Sequence, residues 1–567
     1  MTARGIARDA WRIHILSPAP GTNGEADVKF LAHVASLAAI VACTAMPAVA
    51  APQSSVLVAN AVHEPGIRDL GRANPQQTVT LLVSMRYRND AQLDQFVDAV
   101  SNPRSPVYRH FLTNQQFNSY FSPTVRDYNR VASALVRAGF RVTPSANGTI
   151  IDATGPAAAV ERYFNTEIHM VRQAGVPDVR YANSRPASMP AEIADAVESV
   201  IGFDSLRAAT PDHFIGKNET DPDKLGGPIH GKAGGYSPFA IAQAYNYPVQ
   251  HGFDGTGHAI GIAIDYDSSD ADLNGFLAFF GETRTGQNFH VPVDGGQPYD
   301  PSGGSEESTL DTETVGTLDP GADLYVYNFG ASFTFTEIGD GYNRAVSDNK
   351  VDVVSSSFGL CENNSPASFN TTVNHITKQG AAKGISFVAS TGDFGRGGKC
   401  SDHTGQDVPA VLKFFTSVGG ADPNIGNMGK LKSELEDRGS GGGPSDIFAI
   451  PSYQVGVPGM FSTTKRNIPD VSGPYEPDAF FFAGRWGTIG GTSWAAPATS
   501  AFLAEANQVA GSRAGFANPA IYAAFKVSGY DLFHDVTTGN NGIACSTGYD
   551  DCSGIGTLKA FALAKAL

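Results

Sequence analysis

Strand-like and helix-like patterns alternate through the second half of the chain, and this alternation limits the folds that it can adopt. The runs HAIGIAID, ADLYVYN, VDVVSSSFG and GISFVASTGD are apolar and rich in β-branched residues, and helical patterns such as FNTTVNHITKQGAAK lie between them. Such alternation favours a largely parallel sheet with helices on both faces. We therefore predict an α/β fold with its functional groups beyond the carboxyl ends of the strands, where the polar tails SSSFG and STGDFG lie.

The first half of the chain has its own α/β pattern, which predicts a separate domain. QQTVTLLVSMRY has the pattern of a strand, and AQLDQFVDAVS and VRDYNRVASALVRAGF have the pattern of helices. This domain has ten arginines between Arg86 and Arg172, although the whole chain has a formal net charge of −16. We expect this basic block to pack against an acidic second domain. Residues 209–236 are polar, rich in glycine and proline and without periodicity, so we predict a linker there.

The N-terminus has the pattern of an export signal. KFLAHVASLAAIVACTAMPAVA contains an apolar run too short for a membrane span and ends in a small-x-small motif, which is typical of a signal-peptidase site. We assign residues 1–50 to this signal region, with translation starting near Val28. The mature chain is then expected to be secreted, to the extracellular space or the periplasm. The alternative is a lipoprotein signal involving Cys43.

Charge and hydropathy argue against two classes of partner. The acidic net charge disfavours nucleic acid, because phosphate contacts require a basic surface. No segment after the leader reaches about 18 uninterrupted apolar residues, so we expect no membrane span. We also expect a monomer.

The cysteines that follow the leader are suited to disulfides. Cys361, Cys400, Cys545 and Cys552 allow three pairings in an exported chain. Cys545 and Cys552 are the easy local pair, and Cys361 and Cys400 each follow a predicted strand, whose ends could be neighbours. Zinc is the weaker interpretation, because the chain has no CxxC or HxxxH spacing.

The stretch GGTSWAAPA places Ser493 between glycines and a small-residue helical segment. A serine hydroxyl is a weak nucleophile until a base takes its proton. GTSxAAP resembles the serine motif that the subtilisins and the sedolisins share. A subtilisin needs an HGTH-type segment for its base, which this chain lacks, and where the resemblance places the base helix, before the ADLYVYN strand, the chain has EESTLDTETVGTL. The resemblance therefore implies a base among these acidic residues.

Glu307 and Asp311 are four residues apart in that helical segment, so both carboxylates lie on one face. Close like charges raise each other's pKa, which leaves one carboxyl protonated in mild acid while the other stays ionised. We predict Glu307 as the general base towards Ser493, and Asp311 as the group that orients Glu307 and shares the proton. The alternative is a solvated helix face.

Asp393 follows a predicted strand in VASTGDFG. This segment resembles the motif of the sedolisins, a peptidase family, in which an aspartic acid after a strand donates a hydrogen bond to the oxyanion. The resemblance implies that a protonated Asp393 donates to the oxyanion of a tetrahedral intermediate, whereas an ionised one would repel it. We therefore expect activity only in acid. An ordinary turn is the alternative for this Gly-Asp pair.

These motifs, in this order, resemble those of the sedolisins, the serine-carboxyl peptidases of the kumamolisin type. ExxxD, the strand-GD pair and GTSxxAP occur together with VVSSSFGLCE, GSGGGPSDIFAIPSYQ and RNIPDVSGPYEPDAFFF, and SPVYRHFLTNQQFNSYFSP resembles the activation domain of these zymogens. The resemblance implies a catalytic domain at residues 237–567 with a subtilisin-like sheet. It implies a ferredoxin-like α/β activation prodomain at residues 51–208 that inhibits the enzyme, with activation cleavage in the linker 209–236.

The sequence departs from the family pattern at positions near the expected site. Phe358 stands where tryptophan is usual, Asp265 where glutamate is usual, and Pro444 where an aromatic residue is common. The first two positions are expected to extend the carboxylate network. Their change affects the expected pH profile and substrate preference and leaves the triad intact.

The segment FHDVTTGNNGIACSTGYDDCSGIG resembles the calcium loop of this family. The resemblance implies one structural Ca²⁺, with carboxylate ligands from Asp535 and Asp550 and backbone carbonyl ligands from Val536, Ser546 and Gly548. Hard oxygen donors suit calcium. A cluster of ordinary turns is the alternative.

The function expected from these features is that of a secreted, acid-active endopeptidase that acts on proteins and peptides. One alternative is a tripeptidyl-peptidase of the same family, and another is a calcium-stabilised binding protein without catalysis. An esterase is disfavoured, because GTSWA lacks the glycine two residues after the serine.

Overall fold

The computed structural model describes residues 56–58, 61–145, 147–218, 220, 224, 226–330, 332–401, 403–426 and 429–567. The predicted signal region, with Val28 and Cys43, lies outside the described residues. Within the described ranges, no helix is both long and apolar enough to cross a membrane.

The central sheet of the C-terminal part is parallel over most of its width. Its strands are hydrogen-bonded in the spatial order Asn288–Pro292, Asp323–Asn328, Ala259–Ile264, Val353–Ser356, Ser386–Ser390 and Phe415–Ile425. The last of these also pairs in parallel with Val471–Pro474 and antiparallel with Leu431–Glu436. The middle strands are buried along their whole length, as expected for strands covered on both faces.

Helices pack on both faces of this sheet. Glu306–Leu318 and Thr492–Ala510 pack together on one face, and Phe335–Asp348 and Ala367–Ala382 pack together on the other. The predicted α/β architecture is confirmed. This part also contains the helices Pro238–Ala244, Asp270–Phe280, Asn518–Ser528 and Ala560–Ala564, and the 3-10 turns Pro248–His251, Glu362–Asn364 and Gly529–Asp531.

Short antiparallel strand pairs lie outside the central sheet. They are Phe358–Cys361 with Asp407–Val408, Gly443–Ala449 with Lys465–Ile468, Asp478–Phe482 with Arg485–Gly490, and Phe533–His534 with Thr557–Leu558. Cys361 is paired with Cys400, and Cys545 with Cys552. These are the two pairs that the sequence favoured.

The N-terminal domain has an antiparallel sheet in the spatial order Arg141–Pro144, Ile150–Pro156, Thr78–Met85 and Val197–Ile201. Three helices follow the strand Thr78–Met85 in the chain: Asp90–Ser101, Asn114–Tyr120 and Val125–Ala138. The helix Ala157–Phe164 lies between the strands Ile150–Pro156 and Val197–Ile201 in the chain. This is the ferredoxin-like arrangement that was predicted. A second sheet contains Ile67–Arg72, Ile168–Gln173 and Val179–Asn183, next to the 3-10 turn Ala61–His63, and Val56–Val58 pairs with Ala187–Ser188.

Alternation along the strand Thr78–Met85 explains how this domain docks on the rest of the chain. Val79, Leu81 and Val83 lie in the core of the N-terminal domain with the residues of its own helices. Leu82, on the opposite face, lies 3.2 Å from the position that a Cβ of Gly339 would occupy. Ser199 and Thr372 form a hydrogen bond of 2.8 Å between their hydroxyls. The sheet of the N-terminal domain therefore packs on the helices Phe335–Asp348 and Ala367–Ala382.

In the ion pairs described across this contact, the N-terminal domain supplies the acids and the catalytic part supplies the lysine. This is the reverse of the expected packing of a basic block on an acidic domain. Lys378, on the helix Ala367–Ala382, lies 2.6 Å from Asp90 and 3.0 Å from Asp94 of the N-terminal domain. Arginines of the basic block pair instead with acids of their own domain, since these lie next to them on its surface. Such pairs are Arg86–Glu198, Arg130–Asp195 and Arg137–Glu192.

The segment predicted as a linker is ordered against the catalytic part in its described residues. Thr210–Pro211 pairs antiparallel with Phe358–Cys361, and Phe214–Ile215 pairs antiparallel with Arg485–Gly490. His230–Gly231 and Gly234–Tyr236 form a further hairpin beside Asp478–Phe482. These strands are two or three residues long, too short to show a period in the sequence, and apart from the pairing within the hairpin they obtain their hydrogen bonds from distant segments.

Candidate active site

The helices Glu306–Leu318 and Thr492–Ala510 bring the predicted catalytic residues together. Ser493 is the second residue of its helix. Gly491, two positions before it, has a φ of 128°. A Cβ at Gly491 would clash with the carboxylate of Asp393 and the carbonyl of Asp212. Glycine is therefore required here, both for its backbone conformation and for the close approach of these groups.

Glu307 contacts the serine directly. Ser493 Oγ donates a hydrogen bond to Glu307 Oε2 at 3.0 Å. The Glu307 side chain is fully buried, and burial raises its pKa, although the nearby His213 opposes this shift. In the described part of the chain, Glu307 Oε1 has no hydrogen-bond partner. A carboxylate in this position is able to accept the serine proton.

Asp311 lies one helical turn from Glu307 and is equally buried. Its Oδ1 accepts a hydrogen bond of 2.7 Å from the hydroxyl of Ser357. Burial raises the pKa of Asp311 well above its ordinary value, and the charge of Glu307 raises it further. Asp311 therefore holds a proton at pH values where an ordinary aspartate has lost it.

Asp393 lies on the other side of the serine. Its Oδ1 accepts hydrogen bonds from the backbone N–H and the hydroxyl of Thr492, at 2.8 and 2.9 Å. Its Oδ2 is buried next to Gly491 and has no partner among the described residues. Burial raises the pKa of Asp393 well above its usual range, and the charge of Asp212 adds to the effect. A protonated Asp393 would thus present a free O–H donor beside Ser493.

Two linker residues that the sequence analysis missed, Asp212 and His213, lie in the same cleft. The backbone N–H of Ser493 donates to the carbonyl of Asp212 at 3.1 Å. His213 Nδ1 lies 2.6 Å from Glu307 Oε2, and His213 Nε2 lies 3.4 Å from Glu306 Oε2. Burial lowers the pKa of His213, but the charges of Glu307 and Glu306 outweigh it and raise the pKa to about 10. The sequence signal that could have indicated these two residues is the pair of apolar residues after His213, in the run His-Phe-Ile of an otherwise polar linker.

Two of the three residues that depart from the family pattern, Asp265 and Phe358, were expected to extend the carboxylate network. Asp265 is buried, burial raises its pKa to about 7, and the charge of Glu307 contributes. Phe358 packs edge-on against Phe329 and Phe333 and offers no proton. Asp265 is therefore close enough to interact with the carboxylate network, whereas Phe358 contributes only packing.

The five residues predicted to bind calcium lie together in the C-terminal loop. Gly548 N–H donates to Asp535 Oδ2 at 3.1 Å, and Ser546 N–H donates to Asp550 Oδ2 at 2.5 Å. The carbonyl of Val536 accepts from Ser553 Oγ at 3.4 Å. Burial raises the pKa of Asp535, and the charge of Asp550 raises it further, so the two carboxylates are close enough to repel each other. The two carboxylates and the Val536 carbonyl offer hard oxygen donors of the kind that a divalent cation such as calcium prefers.

Comparisons with known proteins agree with the division into an N-terminal domain and a catalytic part. Residues 65–206 match the family model of the pro-kumamolisin activation domain, and residues 302–524 match that of the subtilase family. Kumamolisin of Bacillus sp. (strain MN-32) is 30% identical over 534 residues, which cover 88% of this chain and 93% of that protein. Tripeptidyl-peptidase 1 of Homo sapiens is 26% identical over 554 residues, which cover 89% and 94% of the two chains.

A solved structure agrees with these matches. The structure of Pseudomonas sedolisin, a serine-carboxyl proteinase complexed with two molecules of pseudo-iodotyrostatin, aligns with a TM-score of 0.51 at 25% identity and covers 58% of this chain and 96% of that one. The sequence of sedolisin from Pseudomonas sp. (strain 101) is 28% identical over 515 residues, 85% of this chain and 86% of that protein. The chain therefore belongs to the sedolisin family of serine-carboxyl peptidases and carries the family's activation domain at its N-terminal side.

Proposed function

We propose that this peptidase is an exported, acid-active endopeptidase with Ser493 as nucleophile and Glu307 as its general base. The observation that carries the proposal is the hydrogen bond of 3.0 Å from Ser493 Oγ to a fully buried Glu307 carboxylate, with Asp393 on the other side of the serine. A homologue that only binds would not need this combination. Export rests on the sequence pattern of residues 1–50.

In the proposed mechanism, Glu307 takes the proton as Ser493 Oγ attacks the carbonyl carbon of the substrate. Asp311 orients Glu307 and shares the proton within the pair. The oxyanion accepts hydrogen bonds from the Ser493 N–H and from the protonated Asp393. Glu307 then returns the proton to the leaving amine, the peptide bond breaks, and water hydrolyses the acyl-enzyme by the same steps in reverse order.

The pH dependence follows from the opposite requirements of two carboxyl groups. Asp393 must be protonated, and because its pKa is raised, activity is retained in acid and lost as the pH rises through that pKa. Glu307 must be ionised, so activity also falls in stronger acid. The expected profile is a bell on the acid side of neutrality.

We prefer an endopeptidase to a tripeptidyl-peptidase because of the path of the linker upstream of Asp212. A tripeptide ending at Asp212 begins at Thr210, and the linker continues in contact with the catalytic part beyond that residue, through the buried Ala209 and through Ala208, whose N–H donates to the carbonyl of Phe333 at 2.9 Å. A cleft that holds chain beyond the third residue is suited to cutting inside a polypeptide. A tripeptidyl-peptidase needs that end of the cleft to be closed.

The N-terminal domain and linker act as the inhibitor in this proposal. The linker fills the cleft above Ser493, and the His213 imidazolium pairs with the base Glu307. Because the pKa of His213 is raised to about 10, this contact is fully present below the ordinary value near 6.5 and is lost only as the pH rises through 10. Acid therefore does not release the linker through His213.

Release in acid is assigned instead to the docking surface of the N-terminal domain. His375 stacks on Tyr87 of that domain with ring centroids 3.5 Å apart, and burial lowers the pKa of His375 to about 3. The docked state thus favours the neutral imidazole, and docking weakens as the pH falls from the ordinary value near 6.5 towards 3. Asp152 has the opposite effect, since burial raises its pKa to about 7.

The proposal is tested by exposing the purified full-length protein to acid and measuring hydrolysis of denatured casein across the pH range. We expect processing to a shorter form and a peak of activity in acid. A peptide aldehyde, which forms a covalent adduct with a serine nucleophile, should inhibit the reaction, and pepstatin should not. Activity that peaks in alkali, or inhibition by pepstatin alone, would contradict the mechanism.

Calcium is proposed as a structural ion held by Asp535, Asp550 and the carbonyls of Val536, Ser546 and Gly548. When bound, it would supply positive charge that offsets the repulsion between the two carboxylates. Nothing in the catalytic steps requires it.

Removing calcium with a chelator is expected to lower the melting temperature by roughly 3–5 °C. An ion present at about 100 times its Kd stabilises by about 2.7 kcal/mol, and a domain of this size has an unfolding entropy of about 0.7 kcal/mol per kelvin. The variant Asp550→Asn should show a similar loss without chelator and little further change with it. Asp531→Asn, which alters an exposed aspartate close to this loop, is the control and should respond like the unaltered protein. An unaltered protein that is insensitive to the chelator would refute the calcium assignment.

A further inference from the structure

The linker crosses the cleft in the register of a bound substrate. On one side, Thr210 lies opposite Gly359 and the Asp212 N–H donates to the Ser357 carbonyl at 3.1 Å. On the other side, Phe214 lies opposite Gly490 in an antiparallel pair. The peptide bond between Asp212 and His213 therefore lies at Ser493, with extended chain on both sides.

The carbonyl of this bond is held where an attacked carbonyl would be. Its oxygen accepts the hydrogen bond from the Ser493 N–H at 3.1 Å, and it lies with the Asp393 carboxylate around Gly491. Asp212 thus stands in the position of the residue before the scissile bond (P1), and His213 stands in the position after it. The side chain of Asp212 reports what the P1 pocket of this enzyme accepts.

That pocket holds a lysine. Asp212 is 1% exposed, and its Oδ1 forms an ion pair of 2.5 Å with Lys399 Nζ. Its Oδ2 accepts a hydrogen bond of 2.8 Å from Ser390 Oγ. A Cβ at Gly359 would lie 3.3 Å from Asp212 Oδ2, so the backbone of Gly359 forms a wall of the pocket close to this carboxylate.

The charged groups around the pocket other than Lys399 that are described here are acidic. The preference of the pocket for a carboxylate therefore depends on this lysine. Asp393, Asp407 and Glu307 all interact electrostatically with Asp212. Asp407 Oδ1 accepts from the Lys399 backbone N–H at 2.8 Å, and burial raises the pKa of Asp407 to about 8. In acid Asp407 is thus neutral, and the positive charge of Lys399 is available to pair with a carboxylate of the substrate.

We infer that Lys399 makes the P1 pocket select carboxylate side chains, so that the enzyme cuts after aspartate and glutamate and first cuts its own Asp212–His213 bond. The inference rests on the proposed function. In the self-cleavage, Ser493 Oγ bonds to the Asp212 carbonyl carbon, its proton passes through Glu307 to the nitrogen of His213, and the carbon–nitrogen bond breaks. Water then releases the new carboxylate of Asp212 and restores the serine. Lysine and arginine at P1 are rejected by their like charge.

The test uses acid-processed enzyme and internally quenched peptides with the linker sequence Ala-Ala-Thr-Pro-Xaa-His-Phe-Ile, where Xaa is Asp, Asn, Leu or Lys. The assay is run in acid above the ordinary aspartate pKa of about 3.9, so that the P1 carboxylate is ionised. We expect kcat/KM for Asp to exceed that for Asn by roughly 10- to 100-fold, the range for hydrogen bonds and ion pairs of a buried charge. Mass spectrometry of the processed protein should show a fragment that begins at His213.

The variant Lys399→Gln tests the lysine directly, and the ratio of Asp to Asn is measured within each variant. We expect that ratio to fall to about 1 in Lys399→Gln, while Lys399→Glu should favour the Lys peptide. Lys413→Gln is the control, because Lys413 is a half-exposed lysine beside Asp98 of the N-terminal domain. It should keep the ratio of the unaltered enzyme.

The outcomes separate the two proposals. Hydrolysis of the Leu peptide with an Asp to Asn ratio near 1 in the unaltered enzyme overturns the P1 inference and leaves the peptidase mechanism standing. A high ratio that survives Lys399→Gln also overturns it. An acid-treated protein that cuts none of the four peptides, and no casein, overturns both.

Discussion

Replacing Ser493 by alanine, or Glu307 by glutamine, is expected to lower kcat/KM of the mature enzyme by about 10⁴-fold or more, as found when one member of a catalytic triad is removed. Without Ser493 no acyl-enzyme forms. Without the Glu307 carboxylate, the serine proton at 3.0 Å has no acceptor of sufficient basicity. Because the two residues act in the same step, the double variant should be no worse than the poorer single variant.

Both variants must be matured in trans, since neither is expected to cut its own linker. The zymogens are treated in acid with immobilised unaltered enzyme, which is then removed, and casein hydrolysis is measured. The full-length Ser493→Ala protein treated alone should remain uncut, which is an independent readout of the same defect.

Glu306→Gln provides a matched control on the same helix. The Glu306 side chain is partly exposed and lies 3.4 Å from the linker imidazole, and it makes no contact with Ser493. We expect its kcat/KM to stay within about threefold of the unaltered enzyme, as for most surface substitutions. Equal losses in Glu306→Gln and Glu307→Gln would mean that the base has been assigned to the wrong carboxylate.

The sequence predicts those parts of the protein that repeat with a local period. Alternation along Thr78–Met85 indicates one buried face, and the spacing of Glu307 and Asp311 places both on one helix face. Their burial is not encoded by that spacing. The acidic helix is rich in polar residues and yet has almost no exposed face, because Thr492–Ala510 and other elements pack around it. Whether two acids are solvated or coupled depends on this packing between segments far apart in the chain.

The linker shows where prediction from the sequence ends. Residues 209–236 have the composition of a flexible tether, yet Thr210–Pro211 and Phe214–Ile215 are fixed by backbone hydrogen bonds to Phe358–Cys361 and Arg485–Gly490. A substrate-like strand is held by its receptor and needs no periodicity of its own. The sequence likewise does not predict which domain supplies the positive charge at the contact between the two domains. Counting ten arginines does not reveal that several of them pair with acids of their own domain.

The second large effect is expected at Asp393, where the two replacements should differ. Asp393→Ala removes the proposed oxyanion donor and is expected to lower kcat roughly 10²- to 10³-fold. Asp393→Asn keeps the shape: its carbonyl oxygen accepts from the Thr492 N–H and hydroxyl as Oδ1 does now, and its amide nitrogen takes the place of Oδ2. The asparagine variant should therefore retain more activity in acid than the alanine variant.

The pH profile distinguishes this role from a purely structural one. Asp393 has a raised pKa, so in the unaltered enzyme the donor is present in acid and is lost as the pH rises through that pKa. The amide of Asp393→Asn does not titrate, and its alkaline limb should move to higher pH. Asp446→Asn, at an exposed aspartate, is the control and should leave the profile unchanged. If Asp393→Asn kept the original alkaline limb, another group would set it, and a neutral Asp393 would not be the reason that the enzyme works in acid.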